Sequence, residues 1–342
     1  MITRPTNAVV GVAGRGHSGR TALPIENRWV PYAGPVTTLV ALLVFFGVAS
    51  PQFLAIENAK AILESSAIPI VLVVGMTFIL IQGSVDLSIE GVMAASSMMV
   101  SLLIANTITP YRLGWWAIGA SVGFGALFGL TNGILYTVLK LPSLIVTLAT
   151  WFISLGVATL LFPGRQPQIL DDRLTKLALD KSLGVSALVF IALGAAVVGY
   201  LIQNYTHFGR VSFAIGIDEK TTRHSGLPVG LHKLVAFVLM GFLSGAGGVM
   251  ISAQLGVGNP VAGQDFLFPT VSAAVIGGTL LSGGRGGIVQ SIIGVFILEV
   301  LRSGMVQLGV NPYLRHVIEG ATIVGALAVG NWRLRTKLRV VK

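Results

Sequence analysis

Ten stretches of this chain are apolar over nearly the length that a lipid bilayer demands, and few architectures accept such runs. A helix rises 1.5 Å per residue, so about 20 apolar residues cross the hydrocarbon core. Runs of this kind occupy about 34–50, 67–83, 89–106, 114–139, 142–162, 184–203, 233–253, 264–282, 287–309 and 314–331. They are continuous rather than alternating, which argues against an outer-membrane β-barrel. The expected fold is therefore an all-α polytopic membrane protein with about ten transmembrane helices. Composition agrees. Only 11% of the 342 residues are charged and 54% are hydrophobic, against about 25% charged in a soluble domain. A chain so poor in charge cannot cover a water-facing surface, which excludes soluble-enzyme, disordered and nucleic-acid-binding readings. The 43 glycines and 14 prolines suit membrane helices, where small residues let backbones approach. The absence of cysteine removes disulfides and thiolate metal sites.

The net charge of +10 gains meaning from its distribution. With a cytoplasmic N-terminus, ten spans return the C-terminus to the cytoplasm. That orientation places 15 of the 23 basic residues inside, among them Lys140, Arg210, Lys220, Arg223, Lys233 and Arg285. The chain then divides into a basic cytoplasmic tail (1–33), one transmembrane domain (34–332) and a second basic tail (333–342). No apolar core with a small-residue cleavage site precedes the first run, so no cleavable signal peptide is expected. The segment Gly14–Thr21 matches GxGxxG and nearly matches a P-loop. Arg20 stands where the P-loop needs lysine, and the membrane begins too soon for a nucleotide-binding sheet. Two longer polar stretches remain. One, 163–183, is expected outside, and the other, 204–232, inside; each can hold a short helix.

Four blocks go beyond composition. The first is Gly75-Met76-Thr77 followed by Gln82-Gly83-Ser84-Val85-Asp86-Leu87-Ser88-Ile89-Glu90-Gly91. Asp86 stands where it can cap the third span, Glu90 adds negative charge to its first turn, and Gly83 and Gly91 permit tight turning. A capped helix start and a gate or hinge built on Gly83, Asp86, Leu87, Ser88 and Gly91 are both open readings. The second block is Ala214-Ile215-Gly216, then Arg223-His224-Ser225-Gly226-Leu227. Charged Asp218, Glu219, Lys220 and Arg223 alternate there with apolar residues, and Gly226-Leu227-Pro228 stops a helix. The third runs Ile276-Gly277-Gly278-Thr279, then Ser282-Gly283-Gly284-Arg285-Gly286-Gly287. Such glycine density allows either a tight hairpin turn or a second gate element at Gly278, Thr279, Gly283, Gly284 and Arg285. The fourth is Gly129-Leu130-Thr131-Asn132-Gly133 with Leu141 to Leu148.

In order and spacing, these blocks resemble the permease subunits of bacterial ABC importers of the ribose/xylose/arabinose-type monosaccharide class, over roughly 34–332. The chain departs from the family's usual GGxDLS and GGN patterns at Gln82-Gly83-Ser84-Val85-Asp86 and Gly216-Ile217-Asp218. The resemblance implies a multi-pass protein of the bacterial inner membrane that moves a monosaccharide or sugar-like polyol inward. It implies a dimer with a second copy or a sister permease, a cytoplasmic ABC ATPase and a periplasmic sugar-binding protein. It implies no cofactor on this chain, since ATP and Mg are used by the ATPase. It also makes 214–228 a coupling helix, with Ile215, Gly216, Asp218, Glu219, Arg223, Ser225, Gly226 and Leu227 meeting the ATPase.

Other polar residues complete the reading. Asn132, Thr147 and Thr150 offer neutral hydrogen-bonding groups for a sugar path, or bonds between helices. Glu299 with Arg302 and Arg315 with Glu319 have spacings that pair opposite charges on one helix face. The alternative for Glu299 and Glu319 is ion coupling in a secondary transporter. A permease for nucleosides or branched-chain amino acids is the nearer alternative. Trp115, Trp116 and Trp332 read as interfacial anchors facing lipid. The five histidines form no metal motif, and no catalytic triad can be assembled.

Overall fold

A computed structural model describes residues 30–331. The two tails, the Gly14–Thr21 segment and Trp332 lie outside the described residues, except that 30–33 open the first helix. Each of the ten apolar runs contains a helix: α1 Val30–Ala49, α2 Ile56–Ile81, α3 Ile89–Leu103, α4 Trp115–Thr137 and α5 Ser143–Leu160, then α7 Ala187–Tyr205, α10 Val229–Leu255, α11 Leu267–Ile276, α12 Ile288–Gln307 and α13 Pro312–Asn331. Among the described residues, seven of these are long and apolar enough to cross a membrane. The helices α3 and α11 are shorter, because the chain before each is not helical.

The polar stretches fold as small elements. Residues 163–186 hold α6 Asp172–Leu179, capped by the Asp171 carboxylate on the Arg173 N–H, and a hairpin of β1 Lys181–Ser182 and β2 Val185–Ser186. Residues 207–224 form α8 His207–Ile217 and α9 Glu219–His224. One helix boundary departs widely from expectation. The α2 helix begins at Ile56, well before residue 67, and its polar first turns pair Glu57 with Lys60 and Glu64 with Lys181.

The core is α2, whose last three turns are buried almost throughout, wrapped by α7, α10, α11 and α12. The tightest crossing joins α4 and α10. Gly125 and Gly129 face Gly241 and Gly245, and a Cβ on Gly125 would stand 2.5 Å from the Gly241 carbonyl. Both pairs have the GxxxG spacing that brings membrane helices into backbone contact.

Candidate functional site

At one end of the bundle two glycine loops meet the end of α8. The chain leaves α2 at Ile81 and turns at Gly83, whose φ of 71° suits glycine. The Gly284 N–H donates to the Ile81 carbonyl at 2.8 Å. Gly216, near the end of α8, lies so close to both that a Cβ would strike the Ile81 oxygen and the Gly284 nitrogen. A Cβ on Gly283 would stand 2.9 Å from the Gly83 nitrogen. The first three sequence blocks thus touch backbone to backbone. The third block is the turn between the packed helices α11 and α12. It is irregular chain, with φ of 108°, 84°, 76° and 134° at Gly278, Gly283, Gly284 and Gly286.

The loop is anchored from within. Thr279 is fully buried, and its hydroxyl lies 3.2 Å from Ser291 Oγ, which accepts from Thr77 Oγ1 at 2.8 Å. Gln203 Oε1 accepts the Ile288 N–H at 2.8 Å and so caps α12 from α7. Arg285 is exposed, and its carbonyl accepts from the Leu280 N–H at 3.1 Å.

The second block breaks at Asp218 instead of forming one helix over 214–228. Asp218 is extended and caps α9, accepting from the Lys220 and Thr221 N–H groups at 2.9 and 3.1 Å and from Thr221 Oγ1 at 2.6 Å. These bonds, the Thr221 hydroxyl foremost, hold its carboxyl below the usual carboxylate range. Gly226, at φ 78°, ends α9, and the Ser225 hydroxyl donates to the Thr221 carbonyl. Ile215 and Leu227 pack with Val211 and Val229 beneath, while Ile217 is 74% exposed.

A polar chain links α9 to the first loop. Arg223 and Lys233 each donate to Glu219 at 2.7 Å. Lys233 Nζ also donates to Tyr136 Oη at 2.7 Å, and Tyr136 accepts from Ser84 Oγ at 3.1 Å. Burial raises the Glu219 carboxyl, but Lys233 and Arg223 outweigh it and hold the group below its ordinary value. A cleft of about 290 Å³ opens beside this chain, lined by Lys140, Arg223 and Lys233. The sequence reading counted Lys233 only among the basic residues expected inside and did not single out Tyr136. The signal for Lys233 was a lysine at the very start of the 233–253 run, in the first turns of α10.

Asp86 does not cap α3 directly. Its carboxylate takes the N–H and hydroxyl of Ser88, at 2.8 and 2.6 Å, one step outside the helix. Asn132 donates to Ser88 Oγ at 3.0 Å, so α4 holds the loop at both Ser84 and Ser88. Leu87 packs on the core, and Gly91 lets α3 approach Ser154 and the Trp151 carbonyl of α5. Glu90 reaches across to the Leu267 N–H at 3.2 Å.

Comparison with known proteins decides the class. Residues 58–327 match the family model described as branched-chain amino acid transport system / permease component. The chain belongs to this family. Three curated relatives are the ribose import permease protein RbsC of Bacillus subtilis (32% identical, over 86% of this chain and 91% of the relative), the L-arabinose transport system permease protein AraH of Escherichia coli (28%, over 97% and 99%) and the D-allose transport system permease protein AlsC of E. coli (28%, over 88% and 91%). This chain is a multi-pass permease of the bacterial inner membrane.

The remaining predicted residues of the permease divide. Thr147 and Thr150 are buried, but their hydroxyls return to carbonyls of their own helix, at 2.9 Å (Ser143) and 3.1 Å (Val146). Arg315 does not pair with Glu319. Its Nε donates to the Val310 carbonyl, and Arg302 bridges both Glu299 and Glu319 at 3.3 Å. Trp115 and Trp116 are exposed at the start of α4, as an anchor requires.

Proposed function

We propose that this permease is the membrane subunit of an ATP-driven importer that carries a monosaccharide or sugar-like polyol from periplasm to cytoplasm. The substrate class is supported by relatives for ribose, arabinose and allose that match most of the chain. The observation that carries the coupling scheme is the backbone contact of Gly216 with Ile81 and Gly284.

In this reading α8 and α9 are the docking element for a cytoplasmic ABC ATPase, which hydrolyses ATP with Mg. Exposed Ile217 enters the partner, and Lys220 and Arg223 meet its surface. Lys140, Lys220, Arg223 and Lys233 share this end, as the positive-inside rule asks of a cytoplasmic face. Movement of α9 then passes along two routes. Lys233 and Tyr136 carry it to Ser84 and the 82–88 loop, and Gly216 carries it to 277–287. Both loops act as gates, with Gly83, Asp86, Leu87, Ser88 and Gly91 on one side and Gly278, Thr279, Gly283, Gly284 and Arg285 on the other. The elements shift as packed bodies rather than by bending. A second permease copy or sister chain and a periplasmic sugar-binding protein complete the importer.

The family description also names branched-chain amino acids, which makes a permease for those substrates the second reading. The test of the docking scheme is co-purification of the tagged chain from native membranes. A P-loop ATPase in near-equal amount is expected, lost in Ile217→Glu and Arg223→Glu. An ATPase retained by both variants, with sugar-stimulated hydrolysis intact, refutes the docking assignment.

A further inference from the structure

We infer that the cleft between α4, α9 and α10 binds the phosphodiester headgroup of an anionic phospholipid drawn from the surrounding membrane. The inference needs neither the sugar reading nor the docking of an ATPase. The cleft holds about 290 Å³ and is lined by Tyr136, Lys140, Glu219, Arg223, Gly230 and Lys233, with Thr137 beside them. It lies where α4 ends at Thr137 and α10 begins at Val229. Both helices are long and apolar enough to cross a membrane, so their ends stand at the level of lipid headgroups.

The charge of the cleft does not balance. Lys140, Arg223 and Lys233 bring three cations against the one carboxylate of Glu219. That carboxylate is already engaged by Arg223 and Lys233 at 2.7 Å. Lys140 has no acidic partner among the described residues. Its backbone is also out of the ordinary. The φ of 56° lies in the left-handed region that a helix end usually gives to glycine. A long cationic side chain thus stands where the local conformation favours none, a departure that points to a use for the side chain.

Backbone donors add to the cations. Gly230 lines the cleft, and its lack of a side chain leaves the start of α10 open. Pro228 gives α10 no side-chain cap, and among the described residues the N–H groups of Gly230 and Leu231 have no acceptor. Free N–H groups at a helix start favour a negative ligand.

Apolar surface leads away from the cleft along both helices. Ile134 and Val138 on α4 and its end, and Leu231 and Val235 on α10, are exposed. Each pair is four residues apart and shares a helix face. A soluble phosphate has no use for such surface, whereas a lipid lays its acyl chains on it. Basic pockets between membrane helices take phospholipid headgroups by this combination.

The test is native mass spectrometry of the full-length permease purified in a neutral detergent. It is titrated with dioleoyl phosphatidylglycerol, dioleoyl phosphatidylcholine, glycerophosphoglycerol and inorganic phosphate. At about fivefold in affinity per cation, two uncompensated cations predict a preference of about 25-fold for phosphatidylglycerol over phosphatidylcholine. Lys140→Gly removes one cation and eases the backbone. It should cut that preference about fivefold while binding of phosphatidylcholine stays as it was. Lys176→Gln, on α6 beyond the far end of α5, should leave the preference unchanged. Equal binding of the two lipids overturns the site, as does a preference that survives Lys140→Gly or falls as much in Lys176→Gln. Glycerophosphoglycerol or phosphate bound as tightly as phosphatidylglycerol overturns the lipid and makes the occupant a soluble anion.

Discussion

Lys233→Met tests whether α9 is seated through the Lys233–Glu219 contact. The substitution keeps the apolar stem but removes bonds at 2.7 Å to Glu219 and to Tyr136, and a cation 4.7 Å above the Tyr136 ring. The Lys233 side chain is 7% exposed and that of Glu219 is 40% exposed. An exposed pair contributes ~0.2–1 kcal/mol, and breaking a buried one costs ~3–5. A pair with one buried end lies between, and Glu219 keeps Arg223, so about 2 kcal/mol is expected for seating α9. That is roughly a 30-fold rise in its opening equilibrium. Amide hydrogen exchange over 219–226 reads it directly, since exchange reports local opening. Exchange there should quicken about 30-fold, while α12 is unaffected. A change below about threefold would show that α9 is held by its cap and by Leu227 alone.

Three further outcomes follow from the same contacts. Gly216→Ala should lower the amount of folded permease in the membrane by quantitative blotting, because its methyl would meet two backbone atoms that cannot both retreat. Gly129→Leu should do the same through the α4–α10 crossing, whereas Gly123→Leu, with open space at its Cβ, should be silent. The Asp218 carboxyl lies below its ordinary value in the fold, so its support of α9 is complete above that value and is lost as pH falls through the depressed one. Exchange in 219–226 should therefore differ between the parent and Asp218→Asn at neutral pH and converge on strong acidification.

The sequence announced the helices more readily than their contacts. Each apolar run is helical because lipid leaves the backbone no other way to satisfy itself. The breaks at 82–88 and 277–287 were legible as glycine blocks, whose positive φ values reward that residue. That these blocks touch Gly216 was not, since backbone approach between residues far apart in the chain leaves no local pattern. Charge pairing failed for a related reason. Helical spacing joins Arg315 to Glu319 on one helix, but Arg302 on α12 is the partner that packing supplies. Asp86 reads as a cap by residue type, yet its bonds close a turn on Ser88 one residue early. Thr147 and Thr150 look available by composition. A threonine within a helix, however, commonly bonds the carbonyl four residues back, which removes it from the supply of substrate groups.

The most direct measurement is uptake of radiolabelled ribose, arabinose and allose by cells carrying the complete importer, with and without this chain. The account predicts saturable uptake of at least one of them that requires the chain, stops on ATP depletion and survives an uncoupler when ATP is maintained. Uptake of a nucleoside or leucine in place of all three sugars, or sugar uptake that follows the ion gradient and ignores ATP, would contradict it.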